Sequence, residues 1–248
     1  MAKGKTICVY GAKGGIGKST LVLNLAGMLS NLQKKVLIID LDLSNGAIAC
    51  ALNVNVNKTI YNFSDDYNNN RFELLENYIG KYNDYIDFIA CPKDPRQASR
   101  IEAKYIDILI DKCIYKYDVI LIDTAYTLDE INVYALDKAD EILFLTINDA
   151  IALKNLKNVL NIMQDNEFNN YKIILNNSID PTKTYFSMYD IKSILGSNID
   201  YVISSDFHYR KIDSLTIGGE IITLKFKNFK DYKVFELIAK DITGGANE

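Results

Sequence analysis

The chain has 248 residues, a formal net charge of −4 and four cysteines, and 48% of its residues are hydrophobic. That balance fits a sizeable buried core and disfavours general nucleic-acid binding, whose affinity rests on cationic neutralisation of phosphates. No run of about 18 apolar residues is present to cross a bilayer, and the opening MAKGKTICVY has no apolar leader core, so a cytoplasmic protein is expected. Cys8, Cys50, Cys91 and Cys113 are scattered without a CxxC pair, which fits packing thiols in a reducing compartment and argues against a zinc site.

In chain order, the β-branched run TICVY predicts a first strand, and GAKGGIGKST (residues 11–20) leads from it into a helix with apolar residues at Leu21, Leu25 and Leu29. Strand, glycine-rich loop and helix form the context that a phosphate-binding loop requires. Gly14, Gly15 and Gly17, with Ile16 between them, let successive backbone N–H groups face phosphate oxygens, and the helix adds its positive end. Lys18 is placed to reach the β and γ phosphates, Ser19 to offer its hydroxyl to Mg²⁺, and Thr20 to help hold the α phosphate.

The next strand, KVLIIDLD, ends in Asp40 and Asp42. Alternation puts both on one side of the chain, at the carboxyl end where doubly wound sheets bind ligands. Residues 53–70 are Asn-rich and read as a solvated loop with a short helix, or as a partner surface. YIDFIAC and YDVILIDTA predict two more strands, and the second ends in Asp123, placed as a Walker B carboxylate that holds Mg²⁺ through water. In DTAYTLDE, Asp129 and Glu130 begin a helix, where their charge favours the N-terminus.

EILFLTIND is a further strand, followed by a helix with Leu153, Leu156, Leu160 and Met163 on one face. YKIILNN and DYVIS predict two more strands, the first placing Asn176 at its end and the second preceding Asp206. His208, the only histidine, reads as a surface residue, since phosphoryl transfer of this kind needs none. FKDYKVFELIAKDITGG predicts a last helix closed by glycine. Its acids and bases are mixed, unlike a membrane-surface helix. The alternation of strands and amphipathic helices predicts an α/β fold, a doubly wound and mostly parallel sheet flanked by helices, in one domain over residues 1–248.

The strict pattern GxxxxGK[ST] wants glycine at position 12, where Ala12 stands, and Lys13 gives the loop the form KGGxGKS. This resembles the deviant Walker A motif of the ParA/MinD superfamily of dimerising ATPases. The resemblance implies that Lys13 reaches across a face-to-face dimer to the partner's nucleotide, that Asp42 orients the attacking water, and that Asp40 supports the Mg²⁺ hydration shell. It also implies that Asn176 contacts the adenine edge, with Asp206 in the loop closing the base pocket, and that ATP, ADP and Mg²⁺ are the cofactors. DTAYTLDE lacks the glycine that many relatives carry in a DxPxG-like switch.

DLDLSNGAIACALNVNVNKTIYNF and ACPKDPRQASRIE are similar to segments of the CpaE/TadZ pilus-assembly branch, whose typical members place a receiver-like domain ahead of the ATPase; this chain opens on the first strand. The expectation is an ATP-dependent homodimer that serves a pilus or secretion machine, recruited to membrane or pole through partners. Two alternatives stand beside it: a scaffold that does not hydrolyse, and a partition or cell-division positioning ATPase. An iron–sulfur carrier would need cluster cysteines, and a MinD-type regulator a lysine-rich terminal helix; neither pattern is present in the sequence.

Overall fold

The computed structural model describes residues 2–179, 185–207 and 212–245. The chain runs β1 (Lys5–Tyr10), α1 (Lys18–Asn31), β2 (Val36–Leu41), α2 (Ile48–Ala51), α3 (Ile60–Asn68), β3 (Gly80–Lys81), β4 (Ile86–Ile89) and α4 (Ala103–Cys113). It continues with β5 (Val119–Thr124), α5 (Glu130–Lys138), β6 (Glu141–Thr146), α6 (Ala150–Asp165), β7 (Tyr171–Asn176) and α7 (Met188–Leu195). Last come β8 (Tyr201–Ile203), α8 (Ile212–Ile217), α9 (Ile222–Lys225) and α10 (Tyr232–Ile242).

The strands form one sheet in the order β3-β4-β2-β5-β1-β6-β7-β8. Every neighbouring pair is parallel except β3 with β4. All seven strands read from the sequence are present. β3 escapes such a reading because two residues carry no period. From β1 the chain winds outward to one side through β2 and β4, then returns by β5 and leaves by β6 on the other. That reversal opens a crevice at the carboxyl end of β1, where doubly wound sheets take their ligands.

Period-two alternation sends the two halves of each central strand into different cores. Cys8, Tyr10, Ile120, Ile122 and Phe144 share one cluster with Ile106 and Leu109 of α4, Leu136 of α5 and Leu156 of α6. Ile7, Val9, Val119, Leu121 and Leu143 share the other with Leu25 and Leu29 of α1 and Phe235 and Ile238 of α10. Leu25 is fully buried, so its burial contributes about 2 kcal/mol and Leu25→Ala removes about 2–5 kcal/mol once the residual cavity is counted.

The Asn-rich segment is better ordered than its composition suggests. α3 forms where the Thr59 N–H donates to Asn62 Oδ1 at 2.9 Å, and Phe63 of that helix packs edge-on against Tyr78, centroids 5.4 Å apart. Tyr78 in turn stacks on Phe72. Tyrosine-rich packing thus replaces aliphatic side chains in this outlying part of the core. α10 ends as expected, with Gly244 in the left-handed region at φ 69°. His208 lies outside the described residues.

Candidate nucleotide-binding site

The loop between β1 and α1 turns on two residues with positive φ, Gly15 at 71° and Gly17 at 96°. Gly17 caps α1 without a side chain, which leaves the first N–H groups of the helix free for an anion. Ile16 is buried to 1% exposure and wedges the loop against Gly11, where an added Cβ would sit 2.4 Å from Ile16 Cδ1. The loop is therefore anchored from inside while Gly14 and Gly15 stay exposed.

Lys18 is buried at the start of α1. Burial lowers its pKa, and the negative charges of Asp123 and Asp42 oppose that shift. One cation thus sits in the field of both strand-end acids. Asp123 is fully buried, and neither of its carboxylate oxygens has a hydrogen-bond partner among the described residues. Burial pushes its pKa up to about 6, partly countered by the nearby Ser19 hydroxyl and by the Lys18 charge. A buried, unpartnered carboxylate beside a serine hydroxyl supplies the oxygen ligands that a hydrated Mg²⁺ fits, and the Lys18 ammonium is left for phosphate oxygens.

Asp40 lies beside Asp123 across the β2–β5 pair and is also fully buried. Burial and the Asp123 charge raise its pKa well above the carboxylate range. Its oxygens accept from Asp42 N–H at 3.3 Å and Ile48 N–H at 3.2 Å, and Cβ atoms added to Gly46 would come within 2.5 Å of both Asp40 Oδ2 and Cys91 Sγ. Asp40 is thereby engaged in fastening the turn after β2. Asp42, just past the strand, accepts from Asn45 N–H at 3.2 Å and lines a cleft of about 520 Å³ together with Ser44, Ser99, Tyr126 and Thr127.

Lys13 is held within its own chain: Nζ lies 2.9 Å from Asp149 Oδ1. Asp149 also caps α6, accepting from Ile151 and Ala152 N–H. Those backbone bonds, Ala152 first, and the Lys13 ammonium keep its pKa below the usual value. The segment after Asp123 is fastened as well. Thr124 Oγ1 donates to Val9 O at 2.7 Å, Ala125 N–H to Asn132 Oδ1 at 3.2 Å, and Tyr10 Oη to Tyr126 O at 3.0 Å. Asp129 caps α5 through Asn132 N–H, as its position in the sequence implies.

At the end of β7, Asn176 is 5% exposed. Its amide nitrogen donates to Ile16 O at 3.0 Å, and its oxygen accepts from Ser178 N–H at 3.0 Å and Ser178 Oγ at 2.6 Å. Thus Asn176 holds the phosphate loop, a contact no sequence pattern announced. Asp206 is exposed and paired with Lys230 at 2.7 Å, while buried Asp231 accepts from Ser204 N–H and Oγ. The residues brought together at the crevice are therefore Lys18, Ser19, Asp40, Asp42, Asp123 and Asn176; Asp206 stands on the turn beyond β8. The sequence pattern marks neither Asp149 nor Tyr10 as part of the site, and it marks Cys91 only as a packing thiol. For Asp149 a signal existed, an Asp directly before an apolar-periodic helix.

A glycine-rich loop at the switch point of a parallel sheet, with carboxylates at the carboxyl ends of β5 and β2, the next two strands on one side of β1, defines a P-loop nucleotide-binding protein. Comparison with known proteins narrows the class. A family model described as an AAA domain matches residues 4–178. Septum site-determining protein MinD of Synechocystis sp. is 22% identical over 244 residues, 97% of this chain and 90% of that protein. Chromosome-partitioning ATPase Soj of Thermus thermophilus is 24% identical over 83% of this chain and 78% of its own length. Among solved structures, a ParA family ATPase from Chlorobium tepidum superposes with a TM-score of 0.84 at 22% identity, covering 96% of this chain and 99% of its own. MinD of Pyrococcus horikoshii, complexed with Mg-ADP, gives 0.80 at 21%, covering 96% and 95%. The chain belongs to the ParA/MinD family of P-loop ATPases. ATP and Mg²⁺ are the cofactors of that family.

Proposed function

We propose that this protein is a Mg-ATP-dependent dimerising ATPase that acts as a positioning or partition switch. The observation that carries the reading is the orphaned, fully buried carboxylate of Asp123 at the mouth of a phosphate loop, next to Ser19 and Lys18. Ser19 and Asp123 would hold Mg²⁺, which supplies neutralisation of charge on the β and γ phosphates. Lys18 binds those phosphates. Asp42 orients water for in-line attack, and Asp40 keeps the turn that carries Asp42 in place through its bonds to Asp42 and Ile48.

Lys13 supplies the switch. In the single chain it rests on Asp149; in an ATP-bound pair it would leave that partner for the nucleotide of the other copy. A nucleotide moves such an equilibrium only through its differential affinity for the two states, and a contact that exists only in the dimer provides the difference. The named relatives are cell-division and partition proteins, and they support this role in place of the pilus or secretion role that the CpaE/TadZ resemblance suggested. No helix among the described residues is long and apolar enough to cross a membrane.

Light scattering in Mg-ATP and in Mg-ADP tests the reading. ATP alone is expected to double the mass from 28.1 kDa, and Lys13→Ala to bind nucleotide without pairing. Equal masses in both nucleotides would leave the scaffold alternative, which the fastened segment after Asp123 favours; Asp42→Ala then turning over ATP at the wild-type rate would settle against a catalytic Asp42.

A further inference from the structure

Two observations meet at one peptide bond. The carbonyl of Ile16 accepts from buried Asn176 Nδ2 at 3.0 Å, and the next residue, Gly17, has φ 96°, with any Cβ there falling 2.8 Å from the same nitrogen. A trans peptide is planar, so its C=O and N–H point in opposite directions. Fixing the Ile16 carbonyl toward Asn176 therefore aims the Gly17 N–H the other way, to the side of the loop on which phosphate oxygens would lie. Glycine tolerates nearly every backbone conformation, and without an outside hold the Ile16–Gly17 peptide is free to rotate.

We infer that Asn176 is a positioning residue for the phosphate loop, fixing the peptide that presents the Gly17 N–H to the nucleotide's phosphates, over and above any contact with the base. The amide is itself oriented, because both hydrogen-bond donors of Ser178 reach its oxygen and leave the NH₂ group facing the loop. The hold is a rigid one: Asn176 is the last residue of β7, which pairs with β6 and β8, and Ile16 is locked by its side chain against Gly11. A loop set in this way before any ligand arrives needs less ordering on binding. It also gives the base end of the site a direct mechanical line to the phosphate end.

A ligand that has phosphates and no base separates this role from base reading. The experiment titrates Mg-tripolyphosphate and Mg-ATP into wild type, Asn176→Ala, Asn176→Asp and Ser178→Ala, by displacement of a fluorescent ATP analogue. Loss of one buried hydrogen bond that sets the loop is expected to weaken tripolyphosphate by about tenfold in Asn176→Ala. Asn176→Asp keeps the shape and lacks the donor, so it is not expected to recover the loss, and Ser178→Ala is expected to lie between. Melting curves identify any variant that fails to fold, and Ser178→Ala, which removes a hydrogen bond to the Asn176 oxygen and leaves the Asn176 donor in place, carries the test in that case. Tripolyphosphate binding equal to wild type in all three variants, with only ATP weakened, would overturn the role and leave Asn176 as a base reader. Failure of wild type to bind tripolyphosphate while it binds ATP would also overturn it, because the loop would not be set in advance. The inference rests on the nucleotide site proposed above; no binding of Mg-ATP by wild type would remove both, an outcome distinct from either of these.

Discussion

Replacing Asp149 tests the second lysine of the loop without altering any group that touches nucleotide. Asp149 holds Lys13 at 2.9 Å and caps α6 through Ile151 and Ala152 N–H at 3.1 and 3.0 Å. Asparagine caps a helix about as well as aspartate and has no charge, so Asp149→Asn removes the ion pair alone, whereas Asp149→Ala removes both. The side chains of Lys13 and Asp149 are 34% and 17% exposed, which places the pair near the surface regime of about 0.5 kcal/mol. The cap adds about 1 kcal/mol. Urea unfolding should therefore show losses of about 0.5 kcal/mol for Asn and about 1.5 kcal/mol for Ala.

Dimerisation should move the other way. If each Lys13 must leave Asp149 before it reaches the other copy, the Asn variant is spared that step twice per dimer, a gain of about 1 kcal/mol or fivefold in the ATP-dependent dimer constant. Sedimentation equilibrium in Mg-ATP reads this directly. A dimer constant for Asp149→Asn no tighter than wild type would refute the idea that the contact within the chain competes with the contact between chains.

Other substitutions probe the rest of the site. Asp123→Asn should stabilise the metal-free protein at pH 8 and abolish the thermal shift produced by Mg-ADP. The sign follows from an acid pushed up to about 6 in the fold: wild type loses stability as pH rises from about 4, the unfolded value, toward 6, so the advantage of the neutral amide is present at pH 8 and gone by pH 4 in paired melting curves. Gly17→Ala forces a left-handed φ of 96° and a 2.8 Å approach to Asn176; it should lower stability by more than about 1 kcal/mol and eliminate nucleotide binding in calorimetry. Gly46→Ala drives a methyl group to 2.5 Å from Asp40 and Cys91, and should lower stability by about 1–3 kcal/mol and slow ATP turnover, with wild-type turnover and stability counting against a fastening role for Asp40.

Much of this protein is legible in its residues because parallel strands buried on both faces write continuous apolar runs, such as VILI before Asp123. The same runs end at the carboxyl edge, so Asp40, Asp42, Asp123 and Asn176 could be placed at the crevice by position alone. What the sequence hid are relations between distant residues. Lys13 and Asp149 are 136 positions apart, and Ile16 and Asn176 160, and no local period encodes either pair. The strand places Asp40 at the crevice and the family resemblance implies its role at Mg²⁺; the bonds that engage it come from the turn after that strand, whose path depends on Gly46 lying against Cys91. The Asn-rich stretch misled in the opposite sense, since its polar composition masks Phe63, which meets Phe72 and Tyr78 from farther along the chain only in the fold.

The site draws its groups from the ends of β1, β2, β5 and β7, which span most of the sheet's width. Asp40, Asp123 and Asn176 are fixed to strands paired with their neighbours, while Lys18 and Ser19 open α1 and Asp42 lies on the turn that follows β2. Occupancy of the crevice consequently couples to cooperative separation of the strands and not to local fraying. In hydrogen exchange, a bound nucleotide should slow the deepest amides of β1 and β5 by the same factor as it slows the loop, up to the full value set by ligand concentration over its dissociation constant.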